Sequence, residues 1–153
     1  METPQKDNIF MLCDEVRQTA YDIHHYLGFG HLEIVYEKAL AHRLRKKGFD
    51  VQTQYHSEIR DEDGEVLGIF AADLFVENRL VTEVKAVNAL ANEHFAQVIG
   101  YLRSSGIPHG MLINSGNHKF QAKKLFCSKN QLEPVSISKL YFYSSCPSCF
   151  SCG

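Results

Sequence analysis

No run of about twenty apolar residues occurs in this 153-residue sequence, so no bilayer-spanning helix is encoded. The opening segment, Met1 to Asn8, is polar and lacks the apolar centre of a secretion signal. Together these absences set the expectation of a cytoplasmic protein with no membrane partner. An excess of positive charge is also missing. Sixteen Lys and Arg stand against 18 Asp and Glu, a formal net charge of −2, which excludes a broadly basic polyanion-binding surface but not a localised one. There are five cysteines, Cys13, Cys127, Cys146, Cys149 and Cys152. Without a secretion signal, a disulfide framework is not expected from them. Internal repeats and low-complexity linkers are absent as well. What remains is an ordinary globular composition, 44% hydrophobic and 22% charged, long enough for one domain with a single substantial core.

Periodicity supplies the order of elements. Ile9, Leu12, Cys13, Val16, Ala20, Ile23 and Leu27 recur at helical spacing, and Gly28-Phe29-Gly30 ends that helix. A second helix runs from about Leu32 to Lys47, stopped by Gly48; Arg43, Arg45, Lys46 and Lys47 suit its C-terminal dipole. A second basic group, Lys119, Lys123 and Lys124, lies nearer the C-terminus. Val51 to Ile59, Val66 to Val76 and Leu80 to Val87 are β-prone, separated by Asp61-Glu62-Asp63-Gly64 and by Glu77-Asn78-Arg79. Ala91 to Ser105 returns to helical spacing through Phe95, Val98, Ile99 and Leu102. Gly110 to Asn114 reads as a short buried strand. The expected class is α/β, a mixed sheet with an antiparallel meander flanked by helices, in the order α-α-β-β-β-α-β. After Leu125 the pattern fades.

The charges that stand out lie inside the apolar strands. If Glu77-Asn78-Arg79 forms a three-residue loop, Val76 faces Leu80 and Asp73 falls opposite Glu83, with Lys85 on the face of Glu83. Opposed carboxylates repel and destabilise a sheet unless a cation offsets them. Mg²⁺ or Mn²⁺ is the natural candidate, since hard ions take one or two carboxylates together with waters and a phosphate. On the third helix Gln97 and Tyr101 share one face, with His94 beside them, and are placed to reach the same pocket. Angular position on the second helix puts Glu33 at the border of the apolar stripe and Glu37 about 40° further towards solvent.

Asp73 followed by Glu83-Val84-Lys85 resembles the Asp…(Asp/Glu)-x-Lys core of the PD-(D/E)XK nuclease superfamily. Gly30-His31-Leu32-Glu33-Ile34-Val35-Tyr36 is similar to the signature of the GxxExxY family within it. Tyr36-Glu37-Lys38-Ala39-Leu40, Ala72-Asp73-Leu74 and His94-Phe95-Ala96-Gln97 match further, and Gln97 with Tyr101 resembles the Gln-x-x-x-Tyr of RecB-like nucleases. The likeness covers about Ile9 to Leu125. It departs at Leu74, where Phe is common, and in the cysteine-rich tail.

This resemblance implies a restriction-endonuclease-like core and a Mg²⁺- or Mn²⁺-dependent nuclease acting on DNA. Asp73, Glu83 and the Val84 carbonyl would hold the metal, and Lys85, Glu33 and Gln97 would join the catalysis. Tyr101 and His94 would contact substrate. The competing expectation is a catalytically inactive nucleic-acid- or protein-binding module on the same fold. The domain is expected over residues 1–126, with 127–153 as an extension. Cys146, Cys149 and Cys152 offer three thiols, one short of a complete iron–sulfur or zinc site, with Cys13 or Cys127 as a fourth. A reduced tail without a cluster is the reading taken.

Overall fold

The computed structural model describes residues 8–128. Within them the chain forms α1 (Ile9–Leu27), α2 (Glu33–Lys46), β1 (Val51–Arg60), β2 (Val66–Val76), β3 (Leu80–Lys85), α3 (Asn92–Ser105), β4 (His109–Asn114) and β5 (Gln121–Phe126). The sheet runs β1-β2-β3-β4-β5, parallel only between β3 and β4, where α3 makes the crossover. The mixed α/β architecture is the expected one, with β5 added. That strand escapes sequence reading because Gln-Ala-Lys-Lys-Leu-Phe buries only Leu125 and shows no clean alternation. Among the described residues, no helix is long and apolar enough to cross a membrane.

Two apolar cores sandwich the sheet. On one face α1 and α2 bring Leu12, Val16, Leu40 and Leu44 onto Leu74, Val76, Leu80, Val84, Met111 and Ile113. On the other, α3 brings Val98, Tyr101 and Leu102 onto Phe75, Val81, Leu112 and Leu125. Each of these large side chains removed from water contributes roughly 2 kcal/mol. The α3 helix seats close because β4 offers Gly110: a Cβ there would lie 2.9 Å from Val98 Cγ1 and 3.1 Å from Leu102 Cδ1. Sequence signals set the helix ends. The Asn8 side chain accepts the Phe10 N–H at 2.9 Å, and Gly28 and Gly106 take positive φ at the C-termini of α1 and α3.

The β1–β2 hairpin departs from simple alternation at one level. Leu74 and Val76 pack with α1 and α2, so Ala72 should follow them, yet Ala72 lies in the α3 core. The opposite strand does the same, with Val51 in the first core and Tyr55 against the second. Both strands thus change faces between Thr53↔Leu74 and Tyr55↔Ala72, and the pair between these, Gln54 and Asp73, is missing from the ladder. Gln54 there adopts φ 52°, a left-handed conformation that a non-glycine residue seldom takes. At the other end of β2 the loop is the expected one. Val76 pairs with Leu80, and the Arg79 N–H donates to the Val76 carbonyl at 3.1 Å.

Candidate active site

Asp73 sits where the sheet opens. The β2–β3 ladder runs from Val76↔Leu80 to Leu74↔Thr82 and stops one residue short of it. In place of a main-chain partner, its carboxylate Oδ2 accepts the Val84 N–H at 2.8 Å. The hydrogen bond is returned, since the Asp73 main chain supports the Glu83 carboxylate. Strand register therefore brings the two acids together as the hairpin count predicts, but through side chains rather than through a continued ladder.

Both acids are costly in this position. Asp73 is 9% exposed and Glu83 5%. Burial first, then the charge of Glu83, pushes the Asp73 carboxyl up to about 7. Burial also raises Glu83, and the Lys85 ammonium opposes the rise. Glu83 Oε1 accepts from Lys85 Nζ at 2.8 Å and from Gln97 Nε2 at 3.0 Å. Burial works against the charge on Lys85, yet the hydrogen bond and charge of Glu83, followed by Glu33 and Asp73, hold its pKa above the ordinary value. The charged form of Lys85 is thereby favoured. Its Nζ lies 3.8 Å from Glu33 Oε1, which joins the N-terminus of α2 to the end of β3.

The residues of Gly30…Glu33…Tyr36 divide the work. Tyr36 is buried and donates its hydroxyl to the Gly28 carbonyl at 2.7 Å, while accepting the His31 N–H at 3.3 Å. Gly30 takes φ 102°. Gly30 and Tyr36 thus fold the α1–α2 connection and deliver Glu33 to the site. The helical-wheel ranking of the two acids is corrected. Glu37 is the buried one, 6% exposed, and Glu33 is half-exposed. Glu37 Oε1 accepts from Gln54 Nε2 at 3.0 Å, and the same Nε2 lies 3.5 Å from Asp73 Oδ1. The wheel fails because the buried side is centred on Tyr36, Leu40, Ala41 and Leu44, which takes in Glu37, while Ile34 and Val35 are exposed.

Other expected participants are placed differently from the expectation. Tyr101 is 2% exposed and donates its hydroxyl to the Tyr55 carbonyl at 3.0 Å, fastening α3 to β1. His94 Nδ1 accepts the Ala91 N–H at 2.9 Å and caps α3. Cys13 is buried, and burial pushes its thiol up to about 11, unfavourable for a thiolate ligand. Cys146, Cys149 and Cys152 lie outside the described residues.

The donor chemistry suits a hard divalent ion. Burial raises both carboxyls, and the charge of Glu83 raises Asp73 further, a penalty that the single Lys85 opposes without removing. The N–H and C=O of one strand residue point to the same edge, so the Val84 carbonyl lies on the side of Asp73. Among the described residues no three His, Cys, Asp or Glu side chains form a ligand cluster. The set is thus two carboxylates with a carbonyl, the sparse kind that Mg²⁺ completes with water and phosphate.

A mixed sheet between two helical layers, with Asp, Glu-x-Lys and a supporting Gln at the point where its meander opens, defines a restriction-endonuclease-like protein. The chain belongs to the PD-(D/E)XK nuclease superfamily, whose family model matches residues 11–125. One similar solved structure, described as "Crystal structure of SSO0001", is 19% identical with a TM-score of 0.49. The similarity covers 68% of this chain and 52% of that one, so this chain spans about half of its length. No curated protein matches the sequence.

Proposed function

We propose that residues 1–126 form a Mg²⁺- or Mn²⁺-dependent phosphodiesterase of the GxxExxY kind that cuts DNA in the cytoplasm, with 127–153 as an extension. The observation that carries this reading is the buried Asp73–Glu83 pair with Lys85 Nζ held 2.8 Å from Glu83. No packing or folding need explains two acids inside an apolar sheet. Asp73, Glu83 and the Val84 carbonyl would hold the ion, whose chemistry there would be to activate a water and offset charge on the phosphate. Lys85, kept protonated, donates towards that phosphate and orients the water. Gln97 fixes the Glu83 carboxylate, and Glu33 steadies Lys85. Tyr101 and His94 enter as residues that seat α3, and so Gln97, rather than as substrate contacts.

The test is incubation of the purified protein with linear, circular and single-stranded DNA in Mg²⁺, Mn²⁺ or EDTA. Cleavage that needs the ion and disappears in Asp73→Ala, Glu83→Ala and Lys85→Ala is the expected result. Glu33→Ala and Gln97→Ala are expected to slow it less. DNA bound but never cut, with either ion, would establish the binding module instead.

A further inference from the structure

We propose that Gln54 is a positioning residue for Asp73, held by Glu37 so that its amide fixes the second oxygen of the Asp73 carboxylate. The inference rests on the metal-dependent reading of that carboxylate. It starts from a defect in the sheet. From Val51↔Val76 to Ile59↔Gly68 the β1–β2 ladder is continuous in register, save for the level of Gln54 and Asp73. At that level Gln54 has φ 52°. Strain of this kind persists only where the surroundings impose it, and it concentrates at functional sites.

The strained backbone has an identifiable product. It accompanies the exchange of faces by both strands, which puts one side chain of β1 between α2 and β2. Gln54 Nε2 reaches Glu37 Oε1 at 3.0 Å and comes within 3.5 Å of Asp73 Oδ1. Asp73 Oδ2 is already fixed by the Val84 N–H at 2.8 Å. The two oxygens are thereby oriented from opposite sides, one by the main chain of β3 and one by an amide. That amide is neutral, so it separates two acids without adding charge and leaves the Asp73 anion free to take an ion. Glu37 anchors it from a buried position on α2. Partners that orient a metal-binding carboxylate typically change metal affinity about 10- to 100-fold when removed. Gln54 itself is exposed, so its loss opens no cavity in either core.

The experiment uses the full chain and two readouts besides cleavage: Mn²⁺ affinity by titration calorimetry, and Tm in EDTA. Gln54→Gly removes the amide while relieving the left-handed strain. It is expected to keep or raise Tm, weaken Mn²⁺ binding about 10-fold, and raise the Mg²⁺ concentration for half-maximal cleavage by a similar factor. Gln54→Ala should lose the same affinity with a lower Tm. Gln52→Ala, on the same strand, should bind Mn²⁺ as the parent does. Unchanged affinity in both Gln54 variants overturns the proposal. So does a loss of affinity seen only in Gln54→Ala, where it follows the fall in Tm. A parent protein that binds no Mn²⁺ defeats the metal reading and the inference with it, whereas a parent that binds and cuts separates the two.

Discussion

Asp73 keeps its proton to about 7 because burial and the charge of Glu83 both penalise the anion. In the unfolded chain the same carboxyl titrates near its ordinary value of 3.8. Between those two values the folded, metal-free protein binds more protons than the unfolded chain, so its stability falls as pH rises through the window. Asp73→Asn removes this term. At about pH 8 in EDTA the variant is expected to be more stable than the parent by roughly 1–3 kcal/mol, and near pH 4 the two should converge. Urea unfolding at both pH values checks this; equal stability at pH 8 would remove the electrostatic account of Asp73. Ion binding displaces the same proton, so the parent's Mn²⁺ affinity should climb with pH up to about 7. Asp73, Glu83 and Lys85 were legible in the sequence because a charge in an apolar strand contradicts its surroundings. Gln54 was not, since a polar residue in an edge strand looks like any solvent-facing one and its φ leaves no mark on composition. Glu37 was misplaced because Val35, apolar yet exposed, shifts the centre of the apparent stripe away from the side that is buried.

At the scale of elements, the end of β3 is held by hydrogen bonds from the end of β4. The Ser115 N–H donates to the Lys85 carbonyl at 2.9 Å, and the Asn114 side chain both accepts the Val87 N–H at 3.0 Å and donates to the Val87 carbonyl at 2.9 Å. Gly116 completes the clamp. A Cβ at that position would fall 2.2 Å from the Ala86 carbonyl carbon and 2.2 Å from the Val87 nitrogen, both main chain. Gly116→Ala is therefore expected to cost roughly 2–4 kcal/mol, and to reduce cleavage at temperatures where the variant is still folded, because the displaced segment carries Lys85. Thermal unfolding with activity on the same samples checks this, and a variant with parental Tm would show that the loop yields freely. Helices and central strands were readable from period and from Gly and Asn at their ends. Strand β5 was not, because an edge strand shows one buried residue where a central strand shows a run. The exchange of faces in the hairpin was not readable either, as alternation presumes an unbroken ladder.

Across the whole molecule, the site draws on five elements: Glu33 and Glu37 from α2, Gln54 from β1, Asp73 from β2, Lys85 from β3 and Gln97 from α3. The turn between β1 and β2 divides this set. It is exposed and closes on itself, with the Asp61 N–H donating to the Glu65 carbonyl at 2.9 Å and the Gly64 N–H to the Asp61 carbonyl at 3.0 Å. Everything before it supplies Glu33, Glu37 and Gln54; everything after it supplies Asp73, Glu83, Lys85 and Gln97. The first core is shared in the same way, with Val16 and Leu40 on one side of the turn and Leu74 and Met111 on the other. A chain severed between Glu62 and Asp63 should thus yield two halves with no nuclease activity apart and measurable activity when mixed. Cleavage would then follow a bimolecular dose response, and activity in the second half alone would show that α2 and β1 are dispensable. The hairpin turn thereby marks the place where this protein could be made into a two-part sensor, its chemistry reporting whether two tethered halves have met.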